Sequence, residues 1–224
     1  MLEVFTLSTM SLQLYIYMIV VSVSFLLSLF LFFKTTTPTY LKGFTPFLFS
    51  SLFVEALAGW LIQNNTSTTL LYNISTTIEI SFYLWVLFCI LKGIIVKRII
   101  RVLLFVYPFL SFVDIIFIQG KDDFHSIGYA FGCLLIVFFT IFYFNELFAK
   151  PKAILLTREP DFWICTALLF FYSVTFPLFA SANFMKSFPP ILANNVQYIL
   201  IVLNVFLYLL FSIAFLCRIK IKKS

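Results

Sequence analysis

The chain has 224 residues, of which 62% are hydrophobic, 21% aromatic and only 11% charged, with a mean hydropathy of +1.08 and a formal net charge of +6. A soluble domain carries about twice that charged fraction, and a disordered chain has the opposite balance, so both classes are excluded. So much apolar surface needs a bilayer to face.

A helix needs about 20 mostly apolar residues to cross the hydrocarbon core. Seven stretches meet that length in chain order: 11–33, 44–62, 69–91, 99–118, 126–148, 162–182 and 192–217. Short polar segments separate them, so the expectation is an all-α, polytopic seven-helix membrane bundle forming a single transmembrane domain over 1–224. The first span follows "MLEVFTLST", which holds Glu3 and no basic residue. A cleaved signal has a basic flank and a shorter apolar core, so this span reads as a retained helix.

The second span carries Ser51, Glu55, Ala58 and Gly59, the last two small enough to let a neighbour approach. In the third, "LYNISTTIEISFYLW", residues Tyr72, Thr76, Glu79 and Tyr83 follow i, i+4, i+7, i+11 spacing and share a face, with Asn73 beside them. Glu79 lies about ten residues into its span, roughly 15 Å at the helical rise, and Glu55 sits at similar depth. The fourth span contains Pro108 and Asp114, and the loop "KDDFHS" holds His125, the single histidine, read as a solvated turn. The fifth span sets Tyr129, Cys133, Thr140 and Tyr143 on one face. "LTREPDFWI" leads into the sixth, with Pro160 and Asp161 suited to a first helical turn. Asn183 follows that span, and Asn194, Gln197, Asn204 and Tyr208 form a polar stripe on the seventh.

Thirteen of the 15 Lys and Arg residues fall at the ends numbered as inner by alternation: Lys34 and Lys42, the run Lys92 to Arg101, the segment Lys150 to Arg158, and the tail from Arg218. The positive-inside rule then places the N-terminus outside and the C-terminus in the cytoplasm. Anionic lipid accounts for the net charge, so the expected partners are membrane lipids and no nucleic acid. Trp60, Trp85 and Trp163 lie toward span ends, as interfacial anchors do.

An ionised carboxylate at mid-bilayer costs about 2.5–3.5 kcal/mol even on the lenient insertion scale, so such residues face the interior and are functional candidates. The candidate ligand-binding set is Glu55, Glu79, Tyr72, Asn73, Thr76, Tyr83, Asn204 and Tyr208. Two neighbouring carboxylates would share a proton, which suits cation binding or acid–base work. The competing reading makes each Glu protonated glue between helices. Arg158, Glu159 and Asp161 form a candidate cytoplasmic docking surface. Cys89, Cys133, Cys165 and Cys217 have no CxxC spacing, and no phosphate loop, zinc-protease or nucleophile-elbow pattern occurs. No metal or cofactor is expected.

The stretches "LYNISTTIEISFY" and "LTREPDFWI", with the Asn-rich last helix, resemble a family of small bacterial seven-helix integral membrane proteins with no established activity. That resemblance implies the topology and a bacterial inner membrane, and adds no mechanism. The functional expectation is a ligand- or lipid-sensing bundle with a polar pocket in the outer half of the membrane, signalling through a partner. The alternatives are an intramembrane lipid hydrolase using paired carboxylates, or a small proton- or cation-coupled transporter acting as a homo-oligomer.

Overall fold

A computed structural model describes residues 12–149, 156–181 and 190–220. Its helices are α1 (Leu12–Phe32), α2 (Thr39–Gln63), α3 (Thr69–Ile90), α4 (Ile94–Val113), α5 (Ser126–Phe148), α6 (Pro160–Ala180) and α7 (Pro190–Lys220). A π-helical turn, Asp114–Ile118, extends α4, and a 3-10 turn, Leu156–Arg158, leads into α6. Among the described residues, seven helices are long and apolar enough to cross a membrane, and no strand occurs. Glu3, Asn183 and the side chains of Asn194 and Gln197 lie outside the described residues.

Four helices begin earlier than hydropathy places them, α6 and α7 slightly and α2 and α4 by more than a turn. At α2 the Pro38 carbonyl accepts from the backbone N–H groups of Leu41 and Lys42, at 3.1 and 3.2 Å, so Lys42 and Gly43 are already helical. α4 starts at Ile94 and takes Lys97, Arg98 and Arg101 into its first turns. Lys97 Nζ and the Arg101 guanidinium lie 5.4 and 5.6 Å from the centre of the Phe88 ring. Long basic side chains can stay helical this way, laying their stems on apolar surface while their heads reach the interface.

α1 packs on α2 and α7, α2 on α3, α3 on α5, α5 on α6, and α6 on α7, which closes a ring of helices; α4 packs against α3 and α5. Aromatic rings fill the interior. Phe44 meets Phe82, Phe211 and Phe215 with centroids 5.1 to 5.5 Å apart, and Phe47 stacks on Phe82 at 4.2 Å. Gly43 admits Trp85 to this layer, because a Cβ there would lie 2.6 Å from the indole. Trp85 is accordingly half-buried, unlike Trp60, which is exposed. The α1–α7 contact is polar at its centre: Ser24 Oγ donates to Tyr208 O at 2.7 Å or pairs with Ser212 Oγ at 2.6 Å.

Outside, the pattern inverts. Large apolar side chains stand exposed on each helix, among them Ile19, Phe53, Ile74, Phe105, Phe138 and Phe170. Buried polar groups inside and a greasy perimeter outside are what a lipid solvent selects, since water would leave so large an apolar surface unstable as a monomer.

The connections at one end of the bundle are tied together. Glu146, at the end of α5, accepts from the N–H groups of Lys92 and Gly93 at 3.0 and 2.9 Å, one on each oxygen, and so caps the start of α4. Arg218 donates to Thr36 O at 2.8 Å, Trp163 Nε1 donates to Thr157 O at 3.0 Å, and Tyr40 donates to Asp161. Lys34, Lys42, Lys92, Lys97, Arg158 and Arg218 therefore share this basic end, opposite the His125 end.

Candidate functional site

Glu55 of α2 and Glu79 of α3 both point into the ring, and each carboxylate is met by phenols. Tyr17 of α1 donates to Glu55 Oε1 at 3.2 Å, and Tyr72 of α3 donates to Glu55 Oε2 at 3.4 Å. Tyr172 of α6 donates to Glu79 Oε1 at 2.7 Å. The two carboxylates lie within electrostatic reach of one another, but each keeps its own tyrosines. No Lys, Arg or His hydrogen-bonds to either carboxylate among the described residues.

Further tyrosines close the site. Tyr208 of α7 lies beside Tyr17, with ring centroids 6.0 Å apart, and Tyr83 lies 5.9 Å from Tyr172. Tyr83 has no accessible surface, and its hydroxyl is buried without a hydrogen-bond partner. Glu55 and Glu79 are only half-buried, whereas Ile80, Tyr83 and Tyr172 beside Glu79 are fully covered. The perimeter face of α3 is marked by the exposed Ile74 and Ile78. An acceptor pair fed only by weak phenol donors is suited to hold a proton, or a cation whose charge tyrosine faces also favour.

The predicted set divides. Glu55, Glu79, Tyr72, Tyr83 and Tyr208 converge. Thr76 does not join them, because its hydroxyl donates back to Tyr72 O at 2.7 Å. The Asn204 amide likewise donates to Leu200 O at 2.9 Å within its own helix. Tyr17 and Tyr172 complete the site, and nothing in the sequence singles them out.

Asn73 belongs to a different structure. Its Oδ1 accepts from His125 N at 3.1 Å and meets His125 Nδ1 at 2.9 Å, while its Nδ2 donates to Asp123 O at 3.1 Å. The Asp123 carbonyl fixes which way the amide points, so His125 carries its hydrogen on Nδ1. Both residues have no accessible surface, which corrects the expectation of a solvated turn at His125. Burial lowers the His125 pKa from 6.5 to about 4, keeping the ring neutral at neutral pH. The adjacent start of α5 is capped from outside the helix: Gln119 Oε1 accepts from Ile127 N at 3.2 Å and Asp114 Oδ2 from Gly128 N at 2.8 Å.

At the basic end, Arg158 and Glu159 are exposed, whereas Asp161 is half-buried and holds Tyr40. Of the three residues expected to form a docking surface, two are therefore exposed. An open groove of about 440 Å³ between α3 and α4, lined by Thr77, Ile78, Ser81, Phe82, Trp85 and Pro108, contains no ionisable side chain and is separate from the carboxylates. No family model, curated protein or solved structure matches this chain.

Proposed function

We propose that the chain is a bacterial inner-membrane protein that binds a small or lipidic ligand between Glu55 and Glu79 and reports its occupancy to a partner. The observation that carries this reading is the meeting of two carboxylates with phenols from α1, α3 and α6 inside a closed ring, without a basic counter-charge among the described residues. Helix glue needs one donor per carboxylate and no accessible surface. Here Glu55 takes two donors, Tyr17 and Tyr72, both glutamates are only half-buried as residues, and the buried Tyr83 hydroxyl is still unpartnered. The ligand that suits such a lining offers hydrogen-bond donors and positive charge, as an amine or ammonium headgroup does.

The distribution of Lys and Arg supports a cytoplasmic basic end and an external His125 end. The ligand would then enter from the outer half of the membrane. Arg158 and Glu159 would be the contact for a cytoplasmic partner. The bacterial inner-membrane assignment rests on the resemblance carried by "LYNISTTIEISFY" and "LTREPDFWI".

Native mass spectrometry of the purified protein beside its Glu79→Gln variant tests the reading. A species retained by the parent and lost from a folded variant is expected. Identical bulk lipid on both proteins would return the carboxylates to the role of helix glue. Turnover of the retained lipid on incubation would replace sensing with hydrolysis.

A further inference from the structure

Along α4, Tyr107, Ser111 and Asp114 occupy i, i+4 and i+7, one face of the helix, and span roughly 10 Å of its length. Their exposures are 0%, 0% and 3%, yet Tyr107 Oη, Ser111 Oγ and Asp114 Oδ1 make no hydrogen bond of normal geometry in the protein, and the Tyr107 and Ser111 hydroxyls lie within reach of each other. Ser111 departs here from the habit of this chain. Ser81, Thr140, Thr166 and Thr175 each donate back to the carbonyl four residues earlier, while the Ser111 hydroxyl does not.

The facing wall on α5 is bare backbone. A Cβ on Gly132 would lie 2.7 Å from Tyr107 Oη, and one on Gly128 would lie 2.9 Å from Asp114 Oδ2. Asp114 itself opens the π-helical turn, a distortion that often accompanies function. At the other limit, Tyr107 is about eleven residues from the His125 end of its helix, and Glu79 is about ten from the same end of α3, so the two lie at one depth. Tyr107 is within electrostatic reach of both Glu79 and Asp114.

We propose that the α4–α5 seam is a hydrated proton path linking Asp114, at the His125 end, with Glu79 in the central site. Buried oxygens are nearly always hydrogen-bonded, to protein or to ordered water, and a buried water needs two to four polar partners. A row of three oxygens meets that requirement. A hydronium at the Asp114 end gives its proton to the first water of the row and is left as water. Each water or hydroxyl in turn accepts one proton and releases another, and Glu79 ends as the neutral acid. No oxidant or other reactant is consumed.

Tyr172 of α6 bonds Glu79, and the titratable groups within electrostatic reach of it are Tyr17 of α1, Glu55 of α2, Tyr83 of its own helix, Tyr107 of α4, Tyr129 and Cys133 of α5 and Tyr208 of α7. Tyr107 is the member of that set that continues toward Asp114. Around Asp114 stand Tyr107 and His125, the latter with its Cδ2 bordering the same Gly128 position. The path requires Glu79 to change protonation, and it holds whichever ligand the central site takes.

The test is time-resolved infrared spectroscopy after a pH jump, on full-length protein in nanodiscs with isotope-labelled glutamate carboxyls. Glu79→Gln identifies the Glu79 band. Ser111→Ala and Asp114→Asn should each slow its protonation about tenfold or more while leaving the final spectrum of Glu79 unchanged. Asn at 114 keeps an acceptor for Gly128 N, so folding is preserved. Tyr172→Phe, which touches Glu79 directly, should move the band and leave the rate. Parental rates in both seam variants would overturn the proposal, as would a Glu79 carboxyl that keeps one protonation state from about pH 4 to about pH 10.

Discussion

Acid should loosen the His125 end of this bundle, and the size of the effect can be worked out. His125 has no accessible surface, and burial lowers its pKa from 6.5 to about 4. Between those two values the unfolded chain takes up a proton that the folded chain refuses. Stability is therefore fully present above about pH 6.5, falls as the pH drops through this window, and levels off below about 4. At about 1.4 kcal/mol per pH unit the loss is about 3 kcal/mol. For a chain of this size that corresponds to a fall of about 6–12 °C in thermal midpoint. The assay is tryptophan-monitored thermal unfolding in detergent across the window, with the parent compared against His125→Gln. Other groups titrate in both proteins and cancel in the difference. The variant should start lower at neutral pH, because it loses the ring contact with Asn73 Oδ1, and the two curves should converge near pH 4. Parallel curves, or an imidazole that titrates near 6.5 by NMR, would refute a buried neutral histidine.

Gly132→Ala should destabilise by about 1–3 kcal/mol, since its Cβ would overlap three Tyr107 atoms at 2.7 to 2.9 Å; Tyr107→Phe should recover only part of this, and a neutral thermal midpoint would contradict the close approach of α4 to α5. Glu146→Ala should cost about 1–2 kcal/mol by stripping two backbone N–H groups of their acceptor, with Glu146→Gln about half as severe; equal midpoints for all three proteins would remove the cap. Tyr172→Phe should cost about 1.5–3 kcal/mol and shift the infrared band of the Glu79 carboxyl, whereas Tyr15→Phe, on an exposed residue, should do neither.

How much of this was legible beforehand depended on whether one helix carried the information. Hydropathy sees a span because twenty apolar residues lie together in sequence, so seven helices could be counted from the chain. Glu55 and Glu79 stood out because a carboxylate in such a run has no local explanation. Their partners had no such contrast. Tyr15 and Tyr17 lie two residues apart in the same run, yet Tyr15 is 55% exposed and Tyr17 is 9% exposed and bonded to Glu55. Nothing in "LQLYIYMIV" separates them, because the choice is made by α2 and α7. Tyr172 was hidden for the same reason in "FFYSVTF", where every neighbour is also suited to a membrane helix.

Asn73 shows the opposite failure. It adjoins Tyr72 in sequence and was grouped with it, but consecutive helical residues diverge by about 100° around the axis. That turn carries Asn73 out of the ring site and onto the 123–125 loop, where it holds the backbone of Asp123 and His125. His125 in turn had looked solvated because its neighbours are Lys121, Asp122 and Asp123. A charged neighbourhood describes where a loop meets water, and it is blind to a single side chain turned inward to meet a buried amide. Ser111 does not stand out in the sequence because a hydroxyl in a membrane helix ordinarily bonds its own backbone; that its oxygen does not do so is visible only in the structure, where its neighbours on the same face, Tyr107 and Asp114, pack closely on Gly132 and Gly128 of α5.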